Sequence, residues 1–148
     1  MLAELAFDRR YYRFYEEQKA AESTQMPGDG RSIQAQLLAE TGLAFTYDSK
    51  EKFFGHQSEQ SGGKSILNVI FRSSTAEFVV YFERQTDLCG GTYHGLARTI
   101  ALQRDPNFAY QPRYPRLPYA TEEQLRTVIR FGVDLFREMQ PILLAAST

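Results

Sequence analysis

The sequence contains no tryptophan, one cysteine and two histidines among its 148 residues. A single thiol, Cys89, excludes an internal disulfide and a cysteine-rich zinc centre. His56 and His94 are few soft ligands, so no metal centre is expected. The formal net charge is only −1. Without a basic excess there is little to neutralise a phosphate backbone, and the chain is not expected to bind nucleic acid. No run of about 18 apolar residues occurs, which excludes a membrane-spanning helix. The opening residues, MLAELAFDRRYYRFYEE, carry acids and arginines early and lack the apolar stretch of a secretory signal. The expectation is a cytoplasmic protein without a cofactor.

What is present describes a folded domain. Hydrophobic residues make up 43% and charged residues 24%, the balance of a globular chain rather than a disordered one. The length suits one domain over residues 1–148, able to bury roughly 70% of its unfolded surface without a covalent staple. Eleven phenylalanines and nine tyrosines are the compositional bias. Tyrosine suits half-buried surfaces, because its ring is apolar while its hydroxyl can stay wet.

Local patterns predict an element order. Residues 3–22 read as a helix with Phe7, Tyr11, Phe14 and Tyr15 on one face. Pro27, Gly28 and Gly30 break it, and Ser32 is placed to cap a second helix over 33–41, closed by Gly42. Leu43, Phe45 and Tyr47 alternate as a strand. ILNVIFR (66–72) and EFVVYFE (77–83) are rich in β-branched and aromatic residues and predict an antiparallel hairpin. Both faces of the second strand are apolar, which predicts a cover on each side. Residues 93–103 fit both periods; the alternation of His94, Leu96, Arg98, Ile100 and Leu102 reads as a further strand, while Leu96, Ile100 and Gln103 also fit a helix. Prolines 106, 112, 115 and 118 make residues 106–119 an extended loop. Thr121 and Gln124 form a capping box, and Leu125, Val128, Ile129, Gly132, Leu135, Phe136 and Met139 line one face of a long helix. Glu122 is placed to pair with Arg126. Gly132 implies close approach of a neighbour, and Pro141 a helix end or kink. Helices segregated from strands mean α+β, with an antiparallel sheet of about four strands packed against N-terminal helices and a long C-terminal helix.

Four stretches could carry chemistry. Ser61-Gly62-Gly63-Lys64-Ser65 ends like a phosphate-binding loop, but the leading glycine falls on Ser58 and a strand pattern follows where a helix is required. The motif is read as a loop entering a strand. Cys89 and His94, five apart across Gly90-Gly91, are weak candidates for a thiolate pair. The same residues read better as a Gly-Gly turn with a small buried thiol, since no third group is placed to orient the histidine. Arg9, Arg10 and Arg13 have Asp8, Glu16 and Glu17 beside them and read as a solvated helix face. In the proline loop, Tyr110, Arg113, Tyr114, Arg116 and Tyr119 supply the residue types that interfaces favour.

These features lead to a small protein-binding module without catalysis, an inhibitor, immunity-type protein, or chaperone or adaptor. In element order the layout resembles small bacterial immunity proteins that neutralise toxins, and also secretion chaperones. That resemblance implies another protein, a toxin or secreted effector, as the partner. It assigns no individual residue. The alternative is a small-molecule-binding protein or enzyme, with a pocket between the sheet and the C-terminal helix near Cys89, His94, Tyr93 and His56. Two-sided apolar strands also allow a homodimer.

Overall fold

A computed structural model describes residues 2–19, 30–60, 62–72 and 74–145. A 3-10 turn, Leu2–Leu5, leads into α1 (Phe7–Lys19) and α2 (Gly30–Ala39). Then come β1 (Thr46–Asp48), β2 (Phe53–Gln60), β3 (Gly63–Arg72), β4 (Thr75–Arg84) and β5 (Asp87–Thr92). The chain ends with α3 (Tyr93–Arg104), the two-residue β6 (Leu117–Pro118) and α4 (Glu122–Ala145). The architecture is α+β, as the segregation of helical and strand patterns predicts.

The sheet is an antiparallel meander in the order β1-β2-β3-β4-β5. β3 occupies one side of β4 from Thr75 to Glu83. The other side is shared: β5 pairs with Val79–Arg84 and β6 with Thr75 and Ala76. Glu77 and Phe78 therefore lie in a gap between two edge partners.

The helices pack on one face. Ser65, Leu67 and Val69 of β3 and Ala76, Phe78, Val80 and Phe82 of β4 are buried there. Phe78 lies against Gly132 of α4, Phe82 stacks near Phe136, and Tyr93 of α3 stacks on Phe78 while its hydroxyl donates to the Gly132 carbonyl at 2.8 Å. The close approach inferred from Gly132 is present. α1 reaches the same layer through Phe7, edge-on to Tyr93, and Arg10, paired with Glu138 at 2.7 Å. Half of the capping box holds: Thr121 Oγ1 accepts from the Gln124 amide at 3.1 Å, while the Gln124 side chain accepts from the Ala120 amide at 2.9 Å rather than from that of Thr121.

Several expectations are corrected. Residues 93–104 are helix, not strand, because Thr92 caps them by accepting from the Gly95 amide at 3.1 Å and because Tyr93, Ala97, Ile100 and Ala101 bury one helical face. Ser32 lies inside α2, which begins at Gly30. The N-terminal helix is interrupted at Ala6, whose φ is 52°; residues 20–22 of the expected span, and Pro27 and Gly28 of the break, lie outside the described residues. Arg126 bonds Glu40 and Glu123 rather than forming the anticipated Glu122 pair. Pro141 sits within α4 and does not end it. β2 was not anticipated at all. Gly90 and Gly91 belong to β5 and not to a turn, and Cys89 is exposed.

Candidate functional site

Among the described residues, the second face of the sheet has no helical cover comparable to the first. Along β3, Ser65, Leu67 and Val69 are buried while Ile66, Asn68 and Ile70 between them are only half-buried. That alternation marks an antiparallel sheet with one face on the core and one toward water. The ladder registers align Gly55, Asn68, Val79 and Thr92 across this open face. Ile66, Ile70 and Tyr81 supply its accessible apolar surface, and Val79 between them is buried. The cover expected on both sides of β4 is a helical layer on one; on the other, Glu77 and Val79 are buried without such a layer, with His94 and Arg116 beside Glu77.

At one end of the open face, where β1, β2 and β3 meet, a hollow of about 810 Å³ opens among Tyr47, Asp48, Phe53, Gly55, Gln57 and Asn68. Gly55 helps to make it, since a Cβ there would lie 3.1 Å from Asn68 Oδ1 and from the Phe53 ring.

At the other end is a charged cluster set in the gap between β5 and β6. Glu77 is 9% exposed. Its carboxylate accepts from Arg116 Nε at 3.0 Å and lies 3.6 Å from His94 Nε2. His94 is also buried, its Nδ1 lies 3.4 Å from Thr92 Oγ1, and its ring meets Tyr114 edge-on at 5.7 Å. Burial holds the imidazole below its ordinary pKa, against the opposing pull of Glu77. Tyr114 itself is 58% exposed, with the Arg113 guanidinium over its ring.

The proline loop therefore distributes its candidate residues among three places. Arg113 and Tyr114 form an exposed tip. Arg116 is spent partly on Glu77, which anchors the loop to the sheet. Tyr110 turns to α1, where its hydroxyl donates to Glu16 and its ring packs with Tyr12 at 4.5 Å. Tyr119 is 6% exposed, edge-on to Phe71 and bonded to the Arg72 carbonyl, so its ring belongs to the core and not to the surface. Tyr11 fastens the loop from below by donating to the Pro115 carbonyl at 2.6 Å.

The weak Cys89–His94 pair is not assembled. Cys89 pairs with Phe82 and faces the helix side, lining a hollow with Val80, Leu96 and Ile100. His94 meets Glu77 on the open face. Partial burial and Asp87 push the Cys89 thiol up, away from thiolate character. Tyr93 is in the core, and His56 on β2 bonds the Ala44 carbonyl at 2.8 Å, so the pocket expected around these four residues is not formed by them together. Among the described residues, no group of three or more His, Cys, Asp or Glu is placed to hold a metal ion, and no helix is long and apolar enough to cross a membrane. Gly63, Lys64 and Ser65 open β3, and Ser65 is buried, bonded to Ser58 and Gln140, with no helix N-terminus behind it to hold a phosphate.

Sequence reasoning missed Glu77, Ile66, Ile70 and Tyr81 as site residues. The signal was present in the period-two pattern: one half of each strand's apolar residues had to face away from the long helix. Compared with protein-family models, characterised proteins and solved structures, the chain matches none.

Proposed function

We propose that this protein is a binding module for another protein, of the inhibitor, immunity or chaperone and adaptor kind, and that the partner docks on the open sheet face and the Arg113–Tyr114 tip beside it. The observation that carries this reading is the apolar surface of Ile66, Ile70 and Tyr81, left without a helical layer among the described residues and bordered by an exposed Tyr/Arg tip. Interfaces combine an apolar core with Tyr and Arg and a polar rim. The loop tip is fixed from two sides, by Glu77 and by Tyr11, so little ordering entropy opposes docking.

The test is capture of the tagged chain from its native extract, with the bound protein identified by mass spectrometry and its affinity then measured. Tyr114→Ala and Ile70→Lys are expected to weaken that complex, the first by about 1–3 kcal/mol. A stoichiometric partner whose affinity neither substitution changes would place binding elsewhere and refute the surface.

A further inference from the structure

β5 ends the sheet, and among the described strands it pairs only with β4. Its outer row of backbone N–H and C=O groups is a template for another strand. Proteins shield such edges with short strands, lysine, proline or bulges. The opposite edge obeys, since β1 has three residues. β5 does not. Asp87–Thr92 holds no lysine or proline, its single charge, Asp87, sits at the strand's first residue, and its register runs without a bulge from Arg84↔Asp87 to Val79↔Thr92. Leu88 is 65% exposed, the highest value among the large hydrophobic residues described. On the helix side of the strand an apolar hollow of about 390 Å³ opens between β5, α3 and the end of α4, with Val80, Cys89, Leu96, Ile100 and Leu143 on its walls.

We propose that β5 pairs antiparallel with β5 of a second copy of this chain about a two-fold axis at Cys89, joining two meanders into one continuous sheet. The strand is self-complementary in this register. Leu88 falls opposite Gly90, and directly opposed residues share a face, so the leucine covers bare backbone. Gly90 cannot be otherwise: a Cβ there would meet the Val80 carbonyl oxygen at 2.0 Å. Asp87 falls opposite Gly91 and not opposite a second Asp87, so like charges do not meet. The two hollows face each other across the axis and close into one. A stable interface buries roughly 1,200 Å² or more, which a six-residue ladder does not reach by itself. The merged hollows add apolar area that a foreign peptide strand, lacking a hollow of its own, would leave open. This is why a second copy fits this edge better than an unrelated strand. The open face stays uncovered in such a pair, so the inference stands or falls independently of the partner reading.

Directly opposed residues in an antiparallel ladder have Cα atoms about 4.5–5.5 Å apart, within the span of a disulfide. Mild copper–phenanthroline oxidation of the full chain should therefore join Cys89 to Cys89, two electrons passing to the oxidant and two protons to solvent, and double the mass on a non-reducing gel. Light scattering at roughly 100 μM should show the dimer mass without oxidant. Leu88→Lys, at an exposed position, should keep the circular dichroism spectrum, weaken dimerisation about tenfold or more and slow the cross-link. A monomer mass at that concentration overturns the proposal. So does a dimer that Leu88→Lys leaves intact, because the interface then lies elsewhere.

Discussion

A methyl group built on Gly132 would sit 2.2 Å from the Phe78 ring, far inside the contact distance of two carbon atoms. Gly132→Ala gains about 1 kcal/mol of helix propensity but forces α4 away from β4, and overpacking of this kind costs about 1–3 kcal/mol. The expected outcome is a fold that is less stable despite the better helix former, read as a lower melting temperature in calorimetry. His94 sets a second expectation. Its folded pKa lies below its unfolded value, so the neutral form is favoured by folding. That contribution is complete above the unfolded value near 6.5 and is lost as pH falls through it toward the folded one. Urea titrations should show lower stability at pH 5.5 than at pH 7.5, and His94→Gln, facing the same Glu77 and Arg116, should flatten the difference. An unchanged slope in that variant would assign the acid sensitivity to another group. Arg116→Ala should destabilise by about 1–2 kcal/mol, because it leaves the buried Glu77 carboxylate without its guanidinium, discounted for the partial exposure of the arginine. Tyr114→Ala should leave stability nearly unchanged, since that ring is mostly in solvent. The pair separates the residue that holds the loop from the one offered for contact.

At the scale of elements, legibility followed how cleanly one physical period dominated. α4 could be read in detail because its cap, stripe and glycine agree. The β3–β4 hairpin was equally legible from its β-branched runs. α3 misled because a short stretch of small and polar residues satisfies both periods. The deciding signal is Thr92, whose hydroxyl takes the Gly95 amide and caps the helix directly after two glycines. Thr92→Ala is expected to cost about 1 kcal/mol, with faster amide exchange in the first turn of α3 measured by NMR. β2 escaped because its buried face carries His56 and Ser58 beside Phe54, polar residues that an alternation test scores as outward. Inside the fold Ser58 is satisfied, its hydroxyl 2.9 Å from that of Ser65 with Gln140 donating to both, while His56 bonds the Ala44 carbonyl through Nδ1 and its buried Nε2 has no partner. Gln140→Leu should therefore lower stability, although it adds apolar volume.

For the molecule as a whole, the class of fold and an extended proline loop were legible in the sequence, but not the open sheet face that the loop borders. Composition reveals that apolar residues exceed what one core face needs. It does not reveal which layer is missing, because that depends on all four helices choosing the same side. Tyr119 illustrates the limit from the other direction: it shares residue type and loop with Tyr114, and only the register of β6 against Thr75 and Ala76 turns it inward. The same geometry has a consequence in time. Arg10 and Phe14 of α1 find their partners in Glu138 and Phe131, more than a hundred residues later. The meander between them is built from neighbouring strands and can form as it emerges from the ribosome. Phe7, Tyr11 and Tyr12 of α1 meet Tyr93, Pro115 and Tyr110 before α4 is made, but Arg10 and Phe14 have no native partner until α4 arrives. For that interval the Phe14 ring is left in water, and the yield of folded protein should depend on how quickly α4 follows the meander out of the ribosome.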